Sequence, residues 1–363
     1  MSKESEITIA GAGPSGVTAA IILAKAGYRV RVFEQRSGVG GRFNDDFQGL
    51  ENWSRVEDVL DEIKALGIEP TWWCRPFSGM TVYDPDLRPI EVGSPRPLFY
   101  MVRRGSSHPA SLDLALLNQA RDVGVEFVFE KRVDSNTVDI VATGPKGRPL
   151  AVAAGVTFTT DREDYACAIL NNALAPSGYV YFLIADGQAT LATVLLKSFT
   201  KIHKCLDTSI DVIKQLFDTT ELSNVKRWMA HGTFSIPQSG ERNGTLWVGE
   251  SAGFQDCFLG FGIRNATVSA GLAAQSIIQN TSYDELWRTR LLPHLKASVV
   301  NRVIYEKLGN PAKRGLWLMM GKNDHPERFL LWLYSYSAIH RMIYHFVQKR
   351  HYDSLAQADS QQT

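Results

Sequence analysis

The stretch from Ile7 to Glu34 restricts the fold of this chain more than any other part of the sequence. It opens with a short apolar run of β-type residues, Ile7 to Ala10, and continues through a glycine-rich turn into a helix-type run, Ser15 to Ala26. A second β-type run, Arg29 to Phe33, comes directly before Glu34. This order is typical of a βαβ unit, in which a crossover helix joins two parallel strands. We therefore expect an α/β fold built on a parallel sheet.

The turn between the first strand and the helix carries glycines in the spacing G-x-G-x-x-G. Gly11 allows a tight turn, Gly13 lets a pyrophosphate approach the backbone, and Gly16 lets the helix pack close to the strand. The helix N-terminus adds unpaired N–H groups and the positive end of a dipole. Glu34 can accept hydrogen bonds from ribose hydroxyls. The pattern predicts a dinucleotide site, and an ordinary βαβ turn without a ligand is the alternative.

The composition narrows the function classes. The chain has 363 residues, long enough for two domains or for one domain with a large insertion. Its formal net charge of +1 gives no general attraction to nucleic acid. The four cysteines form no C-x-x-C pair and the eight histidines show no metal-ligand spacing, so no metal site is predicted. A polar start, and the lack of an apolar run near the ~20 residues that span a bilayer, favour a cytoplasmic protein.

Three further glycine-containing turns follow β-type runs later in the chain. A loop from Ser37 to Arg42 comes just after the first unit, where the backbone could approach a second part of a long cofactor and Arg42 could pair with a phosphate. A flexible turn with a solvated arginine is the alternative. The β-type run Val138 to Val141 leads to Thr143 and Gly144, which predicts a return to the parallel sheet beside the cofactor. A further β-type run, Thr245 to Val248, ends at a turn that contains two glycines.

The block from Ala151 to Met229 has a different pattern. Its strand-type runs recur at regular spacing between turn residues, which predicts an antiparallel sheet. Short β-type runs between Ile68 and Pro97 are expected to form a separate sheet that covers the cofactor. From Asp284 to about Val347 the chain is helical in pattern and rich in aromatic residues.

Three segments together resemble a known family. They resemble the corresponding parts of the FAD-dependent oxidoreductases that include p-hydroxybenzoate hydroxylase and the geranylgeranyl reductases. The first segment is Gly11 to Glu34, the middle segment is Val138 to Gly144 and the third segment is Leu246 to Ile263. Within that group the chain is similar to the geranylgeranyl reductases in the aromatic strand GYVYF at 178–182, and in GESAGF at 249–254 followed by GFGI at 260–263. The resemblance extends over about 7–278.

The resemblance implies FAD bound in an extended form. The ADP half would lie on the first glycine turn and Glu34, and Glu250 would face the ribityl or pyrophosphate part. Gly262 and Ile263, at a helix N-terminus, would place N–H groups near the pyrimidine edge, where they stabilise the negative charge of reduced flavin. The implied cofactor-binding residues are Gly11, Gly13, Pro14, Ser15, Gly16, Glu34, Gln35, Arg36, Gly41, Arg42, Arg104, Thr143, Gly144, Gly249, Glu250, Gly260, Gly262 and Ile263.

The implied architecture is a Rossmann-type FAD-binding domain with an inserted antiparallel β-sheet substrate domain and a C-terminal helical segment. The predicted boundaries are 1–70, 98–150 and 232–283 for the FAD-binding domain, 71–97 and 151–231 for the substrate domain, and 284–363 for the helical segment.

Three departures from the family pattern affect the predicted chemistry. Glu250 replaces the usual aspartate, so the carboxylate reaches one methylene further. Thr143 replaces an acid of the middle segment, which weakens the case for direct use of NADPH. Cys257 and Phe261 replace a proline and an acid, which makes the wall beside the flavin more apolar.

An apolar wall favours an apolar substrate. The side chains predicted to form it are Tyr179, Tyr181, Phe254, Phe258 and Phe261, and packing at a domain interface is the alternative. The predicted reaction is hydride transfer from reduced FAD to a carbon–carbon double bond of an isoprenoid or lipid-like small molecule, followed by protonation. An FAD-dependent monooxygenase and a flavin-binding electron-transfer protein are the alternatives. The sequence identifies no catalytic residue and leaves the electron donor open among NADPH, ferredoxin and others.

The apolar residues from Phe329 to Phe346 repeat at helical spacing, with Arg328, Arg341, Lys349 and Arg350 beside them. A helix packed over the substrate domain explains this pattern. The second hypothesis is that the same surface meets a membrane interface, which would make the cytoplasmic protein membrane-peripheral.

Overall fold

The predicted βαβ unit is present at the start of the chain. The computed structural model describes residues 6–218 and 222–347. Strand β1 (Glu6–Ala10) leads into helix α1 (Pro14–Lys25), and β2 (Arg29–Phe33) returns parallel to β1 with Ile7 opposite Val30. Alternate residues of both strands are buried, because helices pack against the sheet.

The unit forms the centre of a six-stranded sheet in the order β15-β16-β9-β1-β2-β8. All neighbouring strands are parallel except β15 and β16, which form an antiparallel hairpin at one edge. The strands added to the unit are β8 (Glu126–Val128), β9 (Ile140–Val141), β15 (Glu241–Arg242) and β16 (Thr245–Trp247). The sheet therefore collects three stretches of chain that are far apart in sequence.

A seven-stranded sheet, in the order β14-β10-β13-β12-β11-β5-β6, forms the second large layer. Its neighbouring strands are antiparallel except for the parallel pair β11 and β5. The strands are β5 (Gly79–Tyr83), β6 (Pro89–Gly93), β10 (Ala151–Thr159), β11 (Tyr165–Ile169), β12 (Tyr179–Ala185), β13 (Gln188–Leu195) and β14 (Ser223–Gly232). The runs predicted between Ile68 and Pro97 thus do not form one separate sheet, because β5 and β6 extend this one.

A three-stranded antiparallel sheet, β3-β7-β4, lies against the seven-stranded sheet. Its strands are β3 (Asn44–Glu51), β4 (Cys74–Phe77) and β7 (Phe99–Gly105), and β3 contacts β10, β12 and β13. The space between the two sheets is closed by apolar side chains of both and by C-terminal helices.

The helices cover the outer faces of the sheets. Helix α4 (Ile202–Leu216) packs on β10 and β13, and its buried stripe starts at Ile202. The helices after α1 are α2 (Val59–Ala65), α3 (Leu112–Asp122), α4 (Ile202–Leu216), α5 (Ile263–Gln279), α6 (Tyr283–Arg290), α7 (Leu292–Lys307), α8 (Asn310–Gly321), α9 (Pro326–Tyr334) and α10 (338–347).

The apolar repeat near the C-terminus is divided between two helices. Residues 335–337 break the helical path, and Tyr336 there has a φ of 48°. Lys349 and Arg350 lie outside the described residues. Within the described ranges, no helix is both long and apolar enough to cross a bilayer.

The predicted fold class is confirmed. The chain combines a Rossmann-type parallel sheet, an inserted antiparallel sheet and C-terminal helices. The proposed domain boundaries remain a prediction, because β3, β4 and β7 join residues from both sides of them.

Candidate flavin and substrate site

The three glycines of the first turn have different surroundings. A Cβ atom on Gly11, which has a φ of 101°, would lie 2.4 Å from the carbonyl oxygen of Ala142, and a Cβ on Gly16 would lie 1.9 Å from that of Gly11. A Cβ on Gly13 would meet no described atom within 4 Å. Gly11 and Gly16 are therefore required for packing, whereas Gly13 leaves open space at the amino end of α1. This opening fits the pyrophosphate of a dinucleotide.

The carboxylate of Glu34 is held at the end of β2. Its two oxygens accept hydrogen bonds from the backbone N–H groups of Ala12 and Arg36, each at 2.9 Å. Each oxygen keeps a lone pair for a further donor such as a ribose hydroxyl. Gln35 and Arg36 are exposed beside it, and Arg36 donates to the carbonyl of Gly41 at 2.7 Å.

Arg42 and Glu250 connect the middle and third segments. A guanidinium nitrogen of Arg42 lies 3.7 Å from the Glu250 carboxylate, and another donates to the carbonyl of His231 at 3.0 Å. A Cβ on Gly144 would lie 3.4 Å from Arg42. Burial raises the pKa of Glu250, and the charge of Arg42 partly offsets that rise. The half-buried pair provides a charge that a phosphate or hydroxyl group could engage.

The third segment also meets the first glycine turn. Gly249 has a φ of 60°, and a Cβ there would lie 2.8 Å from the Ser15 hydroxyl oxygen. Pro14 and Ser15 open α1, whose N-cap position is Gly13. The structure thus brings residues from the first, middle and third predicted segments to the same end of the parallel sheet. In open α/β sheets, ligands bind at the carboxyl ends of the strands, as expected for this site.

The guanidinium of Arg104 is held by other side chains of the protein. Its guanidinium makes two hydrogen bonds to Asp113, at 2.8 and 2.9 Å, and lies over the ring of Phe43. A third contact, at 3.3 Å, joins it to Gln48. Asp113 therefore occupies one whole edge of the guanidinium. The contact of Arg104 with the cofactor remains a prediction. Thr143 is exposed at the end of β9.

The loop before α5 is fixed by hydrogen bonds from several elements. The backbone N–H of Asp256 donates to the Phe261 carbonyl at 2.9 Å, and Gly260 donates to the Asp256 carbonyl at 3.0 Å. The hydroxyl of Tyr179, on β12, donates to the Leu259 carbonyl. Gly260 has a φ of 82°, which a side chain would strain. This loop directs the amino end of α5, at Gly262 and Ile263, as the resemblance requires.

Arg264, in the first turn of α5, was not predicted from the sequence. It is almost fully buried, and its Nε donates to Glu62 of α2 at 2.8 Å. Arg55 and Arg290 contact the same carboxylate at 2.7 and 2.6 Å. Burial opposes ionisation of Glu62, but the charges of Arg55 and Arg264 outweigh it and lower its pKa to about 2. The partners are distant in sequence, so no local pattern signals this network.

An aromatic interior lies between the three-stranded sheet, the seven-stranded sheet and the C-terminal helices. Phe261 meets the ring of Trp53 edge-on at 4.8 Å between centroids, and Phe258 meets Tyr305 at 5.5 Å. The residues that define the aromatic interior are Phe47, Trp53, Phe99, Tyr181, Phe258, Phe261, Met320, Leu330 and Tyr334. It adjoins the amino end of α5 through Phe261.

Four of the five predicted wall residues border this interior. Tyr179 lies at its edge, with its ring 6.3 Å from that of Tyr181. Phe254 is the exception, because it is fully buried in the core around the parallel sheet and packs on Trp287 at 5.1 Å. No group of three or more histidine, cysteine or acidic residues among the described residues has metal-binding geometry.

Comparisons with known proteins agree with this architecture. Residues 9–54 match the family description NAD(P)-binding Rossmann-like domain. Over 357 residues the chain is 22% identical to digeranylgeranylglycerophospholipid reductase 2 of Methanococcoides burtonii, covering 83% of this chain and 84% of that protein. A geranylgeranyl bacteriochlorophyll reductase-like structure from Thermoplasma acidophilum has a TM-score of 0.72 at 17% identity, covering 91% and 96% of the two chains.

A flavin-dependent brominase has a TM-score of 0.68 at 15% identity, covering 96% of this chain and all of that chain. At such low identity the structural likeness establishes the fold, which serves flavin enzymes of different reaction types. The likeness to the reductase from M. burtonii spans most of both chains, well beyond the glycine turn. The chain therefore has the fold of flavin-dependent oxidoreductases and resembles the geranylgeranyl reductases, as its motifs indicated.

Proposed function

We propose that the protein is an FAD-dependent reductase that saturates carbon–carbon double bonds of an isoprenoid or similar lipid-like molecule. The observation that carries this proposal is the position of the α5 amino end, which has Arg264 in its first turn and Phe261 of the aromatic interior directly before it. A bound FAD would supply the hydride. The chain would orient the substrate, exclude water and stabilise negative charge.

The residues fit an extended FAD. Gly13 and Glu34 suit the pyrophosphate and ribose of the ADP half, and the Arg42–Glu250 pair, beside Gly144, could engage a further phosphate or hydroxyl group of the cofactor. At the far end, the N–H groups of α5 and the buried charge of Arg264 favour a reduced, negatively charged flavin.

The substrate class follows from the aromatic interior. Its side chains are apolar, apart from hydroxyl and indole groups at their edges, and offer area rather than fixed polar partners. Binding there would be driven by burial of hydrocarbon, at about 25 cal/mol per Å². A polyisoprenoid chain fits this chemistry better than a polar aromatic ring does.

Anaerobic single-turnover assays test the reaction type. FAD-loaded protein reduced with dithionite is expected to saturate an isoprenoid alkene without oxygen, with the product identified by mass spectrometry. Product that forms only with O₂ and contains its oxygen atom would establish the monooxygenase alternative. Flavin that reoxidises only with a protein acceptor would favour electron transfer. Because Thr143 stands in place of the family's acid, NADPH is expected to reduce the flavin slowly.

We also propose that α10 contacts a membrane surface. Ile339, Met342 and Phe346 are 51%, 63% and 74% exposed and share one helical face at positions i, i+3 and i+7. Arg341, exposed on the same helix, would face anionic headgroups. A lipid-like substrate would be available at such a surface.

Liposome flotation with anionic vesicles tests the contact. Met342→Glu combined with Phe346→Glu is expected to abolish flotation without lowering the melting temperature, because both side chains are exposed. Exposed Met229 lies on β14, so Met229→Glu is the matched control and should float as the parent does. Truncating the chain after Asn310 would also remove α10, but it is a less suitable test because it also removes Met320, Leu330 and Tyr334 from the core. Equal flotation of all variants would contradict the proposal.

A further inference from the structure

A small polar cavity lies beside the first turn of α5. Its volume is about 10 Å³, close to the space that one ordered water needs. Polar side chains from several elements line it, and Nδ1 of His294 is buried there without a hydrogen-bond partner in the described part of the chain. The polar side chains on which the argument depends are Glu51, Asp256, Asn265, His294, Ser298 and Tyr334. The size of the cavity and its polar side chains suit one ordered water.

Asp256 is the central carboxylate of this cavity. It accepts hydrogen bonds from the backbone N–H groups of Phe258 and Leu259, at 3.1 and 2.7 Å, and from the Tyr334 hydroxyl at 3.1 Å. The residue is only 7% exposed. Burial raises the pKa of Asp256 to about 6, and the hydrogen bonds offset only part of that rise. Both protonation states are therefore accessible near neutral pH.

The neighbouring groups have more firmly fixed charges. Burial lowers the pKa of His294 to about 3, with Arg55 adding to the effect, so its imidazole is neutral. Burial keeps the phenol of Tyr334 protonated. Burial also raises the pKa of Glu51, but Arg264 stabilises its ionised form. The charged and titratable groups around Asp256 and its cavity are Glu51 of β3, Tyr179 of β12, Cys257 of the same loop, Arg264 of α5, His294 and Arg302 of α7, and Tyr334 of α9.

Asp256 is also connected to both predicted binding regions. Its loop leads directly into Gly262 and Ile263, where the flavin pyrimidine is expected. On the other side, Tyr334 donates to its carboxylate and belongs to the aromatic interior. A negative charge that appears at the flavin would therefore be felt by Asp256 through a region of low dielectric constant.

Building on the proposed function, we infer that Asp256 takes up one proton when the bound flavin is reduced and later supplies it to the substrate by way of Tyr334. Two electrons from an external donor and one proton reduce the flavin, and a second proton neutralises the Asp256 carboxylate. In the reaction, a hydride carries both electrons to one alkene carbon. The Tyr334 hydroxyl proton goes to the other carbon, and the Asp256 proton replaces it on Tyr334. The carboxylate is then ready for the next cycle.

Potentiometric titration of the FAD-loaded protein against pH, with dithionite as the reductant, tests the uptake without substrate. Above about pH 6, the reduction potential of the flavin in the parent is expected to fall with the slope for two protons per two electrons. Each proton contributes about 30 mV per pH unit to that slope. Asp256→Asn should follow the slope for one proton. Tyr334→Phe removes one donor to the carboxylate, so it should keep the two-proton slope and shift its range to higher pH.

A single-turnover assay then separates proton uptake by Asp256 from proton delivery to the substrate. Tyr334→Phe should slow anaerobic product formation at least about tenfold. The reduced flavin and the protonated Asp256 would remain, but the hydroxyl that passes the proton to the substrate would be lost. Asp46 is the matched control, because burial raises its pKa to about 6 as well. Asp46→Asn should retain the two-proton slope over the same pH range, and Glu51→Gln should retain it over a range shifted to lower pH, because the charge of Glu51 raises the pKa of Asp256. A parent slope for one proton throughout, or loss of the second proton in either of these controls, would overturn the inference.

The protein without flavin provides an independent check. Because the folded carboxyl of Asp256 binds its proton more tightly than the unfolded one, it contributes to a fall in parental stability as pH rises from about 4 to about 6. Asp46 contributes to the same fall, so the fall should be smaller in Asp256→Asn than in the parent, and Asp256→Asn combined with Asp46→Asn should reduce it further. If the protein binds no FAD, the proposed function fails while this titration still reports on Asp256. If Asp256→Asn does not fold, the Tyr334→Phe slope and turnover decide the inference.

Discussion

The amino ends of α1 and α5, which we propose to bind opposite ends of the cofactor, are built in opposite ways. The end of α1 comes from one contiguous stretch, with Gly16 packed on the Gly11 carbonyl and Glu34 at the next strand. The end of α5 depends on partners that are distant in sequence, including Tyr179 of β12 and Glu62 of α2. The first helix end is a local motif, whereas the second is a product of tertiary structure.

The difference also concerns charge. No charged side chain lies in the first turn of α1, so its backbone N–H groups and dipole form the site. In α5 the first turn carries Arg264, which adds positive charge where a helix already has its positive end. That placement is unfavourable for an isolated helix, and Glu62 and Glu51 offset it.

The largest expected effect comes from breaking the support of α5. Glu62→Gln removes the carboxylate that Arg55 contacts and leaves buried Arg264 with only the more distant Glu51, which should lower the free energy of unfolding by about 3–5 kcal/mol in denaturant titrations. Glu57→Gln, an exposed neighbour, should change it by no more than about 0.5 kcal/mol.

The pH dependence sharpens this prediction. The folded pKa of Glu62 is lowered, so its contribution is complete above about pH 4.5 and is lost as pH falls toward 2. The difference between parent and Glu62→Gln should therefore shrink in acid. A constant difference down to pH 3 would mean that packing rather than charge supports α5.

The next effect concerns the end of α1. Gly13→Asp should weaken FAD binding by at least about 100-fold, because like charges brought together cost several kcal/mol. The fold should be kept, since the position has open space and an N-cap aspartate stabilises a helix. Fluorescence titration with FAD and thermal melting provide the two measurements, with Gly13→Ala as the uncharged control. Loss of folding together with FAD binding would contradict the separation of roles among the glycines.

The smallest effect lies at the boundary with the aromatic interior. Phe261→Glu buries an unpaired charge beside Trp53 and should weaken an isoprenoid substrate by about 10- to 100-fold. FAD binding should change by less than about threefold, because the family resemblance places an acid at this position. Phe261→Leu, which keeps an apolar wall, should retain most substrate affinity. An equal loss of both ligands would show that Phe261 supports the flavin instead.

The sequence predicted the local features well. The first unit was recognisable because strand, turn, helix and Glu34 all lie within one stretch, and Gly11 and Gly16 are each required by a close backbone contact. Strands β10 to β13 were recognisable from their alternation and turns. The start of α5 was predicted from the resemblance of residues 249–254 and 260–263 to the family pattern.

Long-range contacts limited the rest. Nothing near Asp113 indicates that it holds Arg104, and nothing near Glu62 indicates three arginine partners. Phe254 was predicted in the wall, with packing as the alternative, and nothing near it in the sequence indicates that it packs on Trp287. Asp256 was not predicted, because a single aspartate in a loop usually caps a turn and its partner Tyr334 lies 78 residues away in the sequence.

The strand order β15-β16-β9-β1-β2-β8 also affects how the chain can fold during synthesis. Strands β1 and β2 leave the ribosome early, but β9 must wait for α3 and β8, and β16 must wait for the whole seven-stranded sheet. Until then one edge of β9 is unpaired, and α5 has not been made. Such pairings between distant segments form slowly and expose apolar surface in the meantime. A nascent chain can thus present the α1 half of the site to free dinucleotide, but can enclose the whole cofactor only after most of the polypeptide has been synthesised.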